Sequence, residues 1–417
     1  MKKSVILLSL VLICSCAPQQ VVKEEEPAPS IPPAAPVARA PSAPVARAPA
    51  PARPEIPTQT LGRPILPHKE PTTPLFGTLL SEVNTSSSSF NPTQGQDVAI
   101  YFHLSKAATV TATVYDPDHG LIKVLAAEES MEAGEQVLVW DGKDLDGRII
   151  PDEAYFLTIT AEIGQDTKEI YDPTTFSGGE AHDITTADID PVSHTINYRM
   201  PEMGRIMIRI GIQGGPLMNQ LVDWKPRVKG AITEYWNGKD NDNLVDLYDH
   251  PKFKMIISYF SLPENSVIAF GNKDVGYRDY KKSLAAGRPV KPKRATSVER
   301  VSHHYGLPRT VDYSPDLQLS FSNMEGEDED GVPTLRRKTL VRVELDEEDK
   351  LIFQNQQFEI CFFLNHEFYA EDEAGYTPFN WVWDLTNVAE GEHLFTVNLS
   401  GFKDQIGVLS RKVKVVR

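Results

Sequence analysis

The chain has 417 residues, a net charge of −16 and only three cysteines. It can therefore hold several cores, has too few thiols for a disulfide framework, and lacks the basic surplus that a phosphate-binding surface needs, which excludes nucleic acid as its main partner. The charge is uneven: residues 1–75 carry eight Lys/Arg against five Asp/Glu, which leaves −19 for the remainder.

In chain order, Lys2 and Lys3 precede an apolar run from Val5 to Ile13 that ends in Ile13-Cys14-Ser15-Cys16. The run is far shorter than the roughly 20 residues that span a bilayer, and the order charged, apolar, small reads as an export signal. The tetrapeptide resembles the bacterial lipobox. That resemblance implies removal of residues 1–15 and acylation of Cys16, since Ser15 before Cys16 is small whereas Ile13 before Cys14 is bulky. An acylated N-terminus holds a protein at a membrane, and Ala17 in place of an aspartate favours the outer membrane. Cys361 is then left without a partner thiol and reads as a small buried hydrophobe within Phe358-Glu-Ile-Cys-Phe-Phe363.

Residues 16–75 hold half of the 32 prolines, and Ala35-Pro-Val-Ala-Arg-Ala-Pro41 recurs as Ala43-Pro-Val-Ala-Arg-Ala-Pro49. Proline fixes φ and removes an amide donor, so the expectation is a disordered, semi-rigid stalk, extended at about 3.1 Å per residue.

From Phe90 onward short alternating apolar runs are broken by Asp, Gly, Asn and Pro, which predicts an all-β chain of sandwiches. Val98–Leu104, Thr109–Tyr115, Gln136–Trp140 and Ala154–Thr160 read as strands. The stretch resembles the immunoglobulin-like domain of the flagellar hook-capping protein, through Phe90-Asn91-Pro92, Tyr115-Asp116, Gly120, Trp140-Asp141-Gly142-Lys143-Asp144 and Gly147. The resemblance implies that Trp140 is a core residue and that Asp141, Gly142 and Asp144 form the turn after it. The unit recurs as Trp236-Asn237-Gly238-Lys239-Asp240, with Tyr198 matched to Tyr101 and Asn243 standing where Gly147 stands. A third, weaker copy is carried by Asn380-Trp-Val-Trp383-Asp384 and Glu390-Gly391. The expected layout is an immunoglobulin-like domain at 76–165, a second at 185–271, a basic connector at 272–315 and a third domain at 316–417.

No catalytic or cofactor motif stands out. Asp144, Asp146 and Gly147 suggest a calcium loop, but its first ligand position falls on Gly142, which has no side-chain oxygen. Five carboxylates in Glu325–Gly331 read as a solvated loop, with weak calcium binding as the alternative. No metal and no cofactor is expected. The leading functional expectation is a non-enzymatic scaffold or adaptor, an accessory subunit of a surface or periplasmic complex. Its docking candidates are Trp224, Arg227, Lys281, Lys282, Lys293, Arg294, His303 and His304, several of them in a segment that nets +7. The alternative is a carbohydrate- or peptidoglycan-binding module using Trp224, Trp381 and Trp383.

Overall fold

The computed structural model describes residues 3–6, 77–287, 314–353, 358–373, 375–401 and 405–417. These are mostly strand, as the alternation predicts, and they form three two-sheet sandwiches with separate apolar cores. Cys16, Lys293, Arg294, His303, His304 and the proline-rich segment lie outside the described residues. Of the N-terminal stretch, Lys3–Ile6 (β1) is a strand.

The first sandwich comprises β2 (Leu80–Thr85), β3 (Ser89–Phe90), β4 (Val98–Leu104), β5 (Ala108–Tyr115), β6 (Leu121–Met131), β7 (Gly134–Trp140), β8 (Glu153–Ile163) and β9 (Thr167–Tyr171). One sheet runs β2-β4-β7. β4 buries Val98, Ile100, Phe102 and Leu104, every second residue, because alternate side chains of a strand share a face. The chain enters this sandwich under Glu169 of β9, whose carboxylate accepts from the amides of Gly77, Leu79 and Leu80 at 3.1, 2.9 and 2.8 Å.

The second sandwich comprises β10 (Ala181–Asp183), β11 (Thr186–Asp190), β12 (Thr195–Met200), β13 (Gly204–Ile212), β14 (Leu217–Arg227), β15 (Gly230–Tyr235) and β16 (Phe253–Ser261). Its sheets run β1-β11-β12-β15 and β10-β16-β13-β14. It repeats the first sandwich position for position from β4 to β7: Ile100 faces Leu138 in one, Ile196 faces Glu234 in the other. Tyr198 therefore corresponds to Phe102 and not to Tyr101. Both point into a core, and a one-residue slip would have turned the strand inside out.

After β16 the chain returns to the first sandwich, contrary to the consecutive layout expected from the sequence. β17 (Val267–Ala269) pairs antiparallel with β8 and parallel with β3, which completes the sheet β3-β17-β8-β5-β6. Helix α1 (Tyr277–Gly287) follows, and its Tyr280 and Leu284 join the first core. The second sandwich is thus inserted into the first, and the start of the expected connector is part of a folded domain. The two bodies meet at Arg205 of β13, 0% exposed, whose guanidinium pairs with Glu153 of β8, 3% exposed.

The third sandwich comprises β18 (Leu317–Ser322), β19 (Gly326–Glu327), β20 (Pro333–Arg336), β21 (Lys338–Leu345), α2 (Glu347–Phe353), β22 (Phe358–Leu364), β23 (Glu367–Asp372), β24 (Phe379–Asp384), β25 (Gly391–Gly401) and β26 (Ile406–Val416). Its sheets run β18-β21-β24 and β19-β20-β26-β25-β22-β23. Trp383 is fully buried against Phe395, with ring centroids 4.6 Å apart, and Cys361 is buried on β22 as expected.

A fragment of residues 76–165, the first domain as the sequence outlines it, lacks β17 and α1 and is expected to be unfolded by amide NMR dispersion, whereas residues 77–287 fold. A dispersed spectrum from the shorter fragment would contradict the insertion. Arg205→Met removes the guanidinium that balances the buried Glu153 carboxylate and should cost about 3–5 kcal/mol in urea denaturation. A fully apolar replacement of the pair should recover most of that loss.

Candidate functional site at the sandwich ends

The residues singled out by the sequence gather at one end of the first two sandwiches, where a tryptophan closes a strand and starts a tight turn. Trp140 is 2% exposed and packs between Phe90 and Tyr155, at 5.3 and 5.5 Å between ring centroids. Its indole donates to the Lys143 carbonyl at 3.1 Å, the Lys143 amide donates to Asp141 at 3.1 Å, and the Ile150 amide donates to the Gly142 carbonyl at 3.1 Å. Gly142 has φ +70°, and a Cβ there would run into the Pro92 ring. This explains why Phe90-Asn91-Pro92 and the Trp140 turn occur together.

The second copy is built the same way. The Trp236 indole donates to the Lys239 carbonyl at 2.9 Å, the Lys239 amide to Asn237 at 3.0 Å, and the Leu247 amide to the Gly238 carbonyl at 2.7 Å. Asn243 takes φ +59° where Gly147 takes +79°, a left-handed conformation that asparagine tolerates better than most residues.

In each copy a carboxylate of the turn faces a docked element: Asp144 in the first and Asp242 in the second, where the Asp144 equivalent, Asp240, accepts from the amides of Leu244 and Val245. In the first, Asp144 accepts from the amides of Asp146 and Arg148, both at 2.9 Å, and from Arg148 Nε at 3.0 Å; its second oxygen also accepts from the Tyr280 hydroxyl of α1 at 3.1 Å. Tyr277 of α1 donates to Asp118 at 2.8 Å, and Lys281 pairs with Asp116. That pair sits directly over Gly120, where a Cβ would displace it. Asn272 ties the segment before the helix to Asp152 and to the carbonyls of Ile149 and Ile150. From the other side of α1, Lys282 reaches Glu348 of α2 at 2.9 Å and Arg278 pairs with Glu348 and Asp349. Hydrogen bonds and charge from Lys282 and Arg278 hold Glu348 down at about 2.

The corresponding end of the second copy receives the third sandwich. Asn398 of β25 mimics a strand neighbour: its carbonyl oxygen accepts from the Leu217 amide at 2.8 Å and its amide donates to the Leu217 carbonyl at 2.9 Å. Asp242 accepts from the Ser410 amide at 2.5 Å and pairs with Arg411 at 3.0 Å. His250 and His366 meet across the same junction at 5.2 Å between ring centroids, where burial and the neighbouring His250 push the His366 pKa down.

These contacts revise the docking candidates. Lys281 and Lys282 are engaged within the chain, because acidic groups of its own first and third sandwiches face them. Trp224 is 4% exposed and packs at a tilt against Phe260, with ring centroids 5.0 Å apart, so it offers no surface to a partner. Arg227 is held by Glu234 at 2.7 Å, which also accepts from Tyr198 at 3.0 Å. Trp383 is buried while Asp384 is exposed and caps the turn by accepting from the Thr386 amide at 3.0 Å. The run of carboxylates at 325–331 folds as a hairpin turn around Asp328, which accepts from the amides of Asp330 and Val332. Among the described residues no three His, Cys, Asp or Glu side chains are placed to share a metal ion. The sequence reading missed α1, although Tyr277, Tyr280, Lys281 and Leu284 have the three- and four-residue spacing of one helical face.

No family model matches the chain. A stretch of 58 residues is 40% identical to the basal-body rod modification protein FlgD of Salmonella typhimurium (strain LT2), covering 14% of this chain and 25% of that protein, and FlgD of Salmonella typhi matches to the same extent. The chain therefore spans a quarter of the length of these curated relatives, and what the match supports is a loose resemblance. Among solved structures, one of host cell surface retention of a 1.5-MDa bacterial ice-binding adhesin is 8% identical, covers 82% of this chain and 98% of that one, and gives a TM-score of 0.17. The Salmonella enterica SafA pilin with its SafB chaperone is 12% identical, covers 39% and 87%, and also gives 0.17. Scores this low carry no argument. The fold itself defines the class: an all-β protein of β-sandwich domains.

Burial raises the Asp116 pKa to about 6, and Lys281 opposes this only in part. The folded protein then holds this proton more tightly than an unfolded chain does. The contribution of Asp116 to stability is greatest below about pH 4 and declines as pH rises through 6, by about 3 kcal/mol at most. Carboxyl-carbon NMR should place its midpoint near 6, and Lys281→Met should move it higher; a midpoint in the ordinary aspartate range would refute the assignment.

Proposed function

We propose that this chain is a non-catalytic scaffold of the bacterial cell envelope, anchored through a lipid on Cys16, spaced from the membrane by residues 16–75, and serving as an accessory subunit of a surface or periplasmic complex. The observation that carries this reading is the use made of the polar residues at the sandwich ends. Asp116 and Asp144 hold α1 on the first sandwich, Arg278 and Lys282 of α1 pair with Glu348 of the third, Arg205 meets Glu153 between the first and second, and Asp242 and Asn398 join the second to the third. They do not converge on a cleft. A body of fixed relative surfaces serves to hold partners at set positions, which is what an adaptor does.

The glycan-binding alternative retains one foothold, at the open side of the third sandwich. Tyr369 of β23, 37% exposed, lies 5.9 Å from the half-buried Trp381 of β24, and amphipathic rings at a surface are what a sugar face stacks on.

Two measurements test these readings. Cys16→Ser should shift the protein from the membrane fraction of its native host to the soluble fraction; retention in the membrane would refute the lipid anchor. Crosslinking in intact cells through a C-terminal tag should capture one stoichiometric envelope protein. Recovery of peptidoglycan fragments alone, lost in Tyr369→Ala, would replace the scaffold reading with the glycan-binding one.

A further inference from the structure

The duplication provides an internal comparison of two edge strands. β7 and β15 are equivalent, and each ends its sheet, in the orders β2-β4-β7 and β1-β11-β12-β15. An edge strand exposes a row of unpaired amides and carbonyls that any extended chain can pair with, and proteins guard such edges with inward-pointing charge and polar outer faces. β15 carries both guards. Glu234 points inward, held by Arg227 and by the Tyr198 hydroxyl, and on the outer face the Thr233 hydroxyl donates to Asn197 at 2.7 Å.

β7 carries neither. The three inward positions equivalent to Tyr198, Glu234 and Arg227 are Phe102, Leu138 and Met131, all packed on the first core. The outer positions equivalent to Asn197, Thr233 and Tyr235 are Tyr101, Val137 and Val139, and these are 42%, 54% and 55% exposed. Among the described residues nothing pairs with the outer edge of β7. One scaffold has thus been given two different edges: Val137 and Leu138 of β7 replace Thr233 and Glu234 of β15, while Glu135 and Gln136 replace Ala231 and Ile232.

We infer that β7 is a strand-acceptor site, which takes up an extended segment of a partner protein with apolar residues at alternate positions and Lys or Arg between and beside them. This rests on the scaffold reading and names the surface that the scaffold would use. Backbone pairing would supply affinity, and contact of alternate side chains with Val137, Val139 and Tyr101 would supply register. The basic character follows from the rim: Glu132 and Glu135 are exposed on and beside β7, and Asp141 at its end is paired with Lys143, in a chain of net charge −16. The same charges argue against a second copy as occupant, since antiparallel pairing of two β7 strands about Leu138 would set Glu135 opposite Asp141.

The test uses the full chain and a fluorescein-labelled ten-residue peptide of alternating valine and lysine, with a valine–glutamate peptide beside it. The valine–lysine peptide should bind by fluorescence anisotropy at least tenfold more tightly than the valine–glutamate one, and should slow amide exchange in residues 134–140. Val137→Lys with Val139→Lys, at positions exposed enough to leave folding intact, should weaken binding at least tenfold. Transplanting the guard, as Phe102→Tyr, Met131→Arg and Leu138→Glu together, should do the same. Equal binding to the lysine variant, protection mapping to β15 in place of β7, or concentration-dependent self-association that protects β7 without peptide would each overturn the inference. Capture of an envelope protein by a chain whose β7 is blocked would leave the scaffold reading standing and remove this surface from it.

Discussion

The organisation of the molecule depends on one short strand. Val267–Ala269 enters the first sandwich between β3 and β8 only after the whole second sandwich has been traced, so the first core cannot close until the second has been made. Everything that follows in the chain inherits this constraint. Asn272 and α1 are carried onto the loops of the first sandwich by it, and α1 in turn presents Arg278 and Lys282 to the third sandwich. The buried Arg205–Glu153 pair lies where the inserted body meets its host. Such a pair adds little net stability compared with an apolar contact, but it strongly penalises any arrangement that separates its members. It acts on orientation more than on the strength of the junction.

A single structural theme serves two different joints. The turn after a core tryptophan exposes amides and carboxylates around a rigid aromatic anchor, and each copy turns that cluster toward a docked element: a helix in the first, a neighbouring sandwich in the second. In the first copy the docking is mixed, with an ion pair over Gly120 and tyrosine hydroxyls on Asp118 and Asp144. In the second it is mostly amide chemistry through Asn398 and Asp242. Burial lifts Asp116 toward neutrality despite the lysine beside it.

The sequence made the local structure readable and the connectivity unreadable. Period-two alternation in Val98–Leu104 or Phe358–Leu364 marks a half-buried strand wherever that strand finds its partner, so the β class and the tryptophan turns could be read directly. The duplication was also visible, although its register was set one residue wrong at Tyr198, because two adjacent aromatic positions match equally well until one knows which faces inward. The insertion left no local trace. A three-residue strand has no periodicity, and pairing between residue 268 and residues 89 and 154 is a long-range choice decided by which edge is open. The basic stretch misled for a related reason: charge composition says that Lys281 and Lys282 seek carboxylates, but not whose. Trp224 misled because the extra length from Pro216 to Pro226 reads as a loop, whereas it is strand β14 and Phe260, on β16 beyond β13 in the same sheet, packs on the indole.

The insertion also governs how the molecule responds to being pulled. Two neighbouring domains joined by one length of chain can twist about it, and their separation is limited only by the linker. Here the first two sandwiches are joined by two crossings, at 172–180 and 262–266, so rotation about either would strain the other. Tension arriving at Gly77, where Glu169 grips the incoming amides, is delivered to a host domain whose own final strand lies beyond the inserted one. The pair would therefore bear torque as a single stiff lever, and would yield by losing β17 before it bent at a hinge.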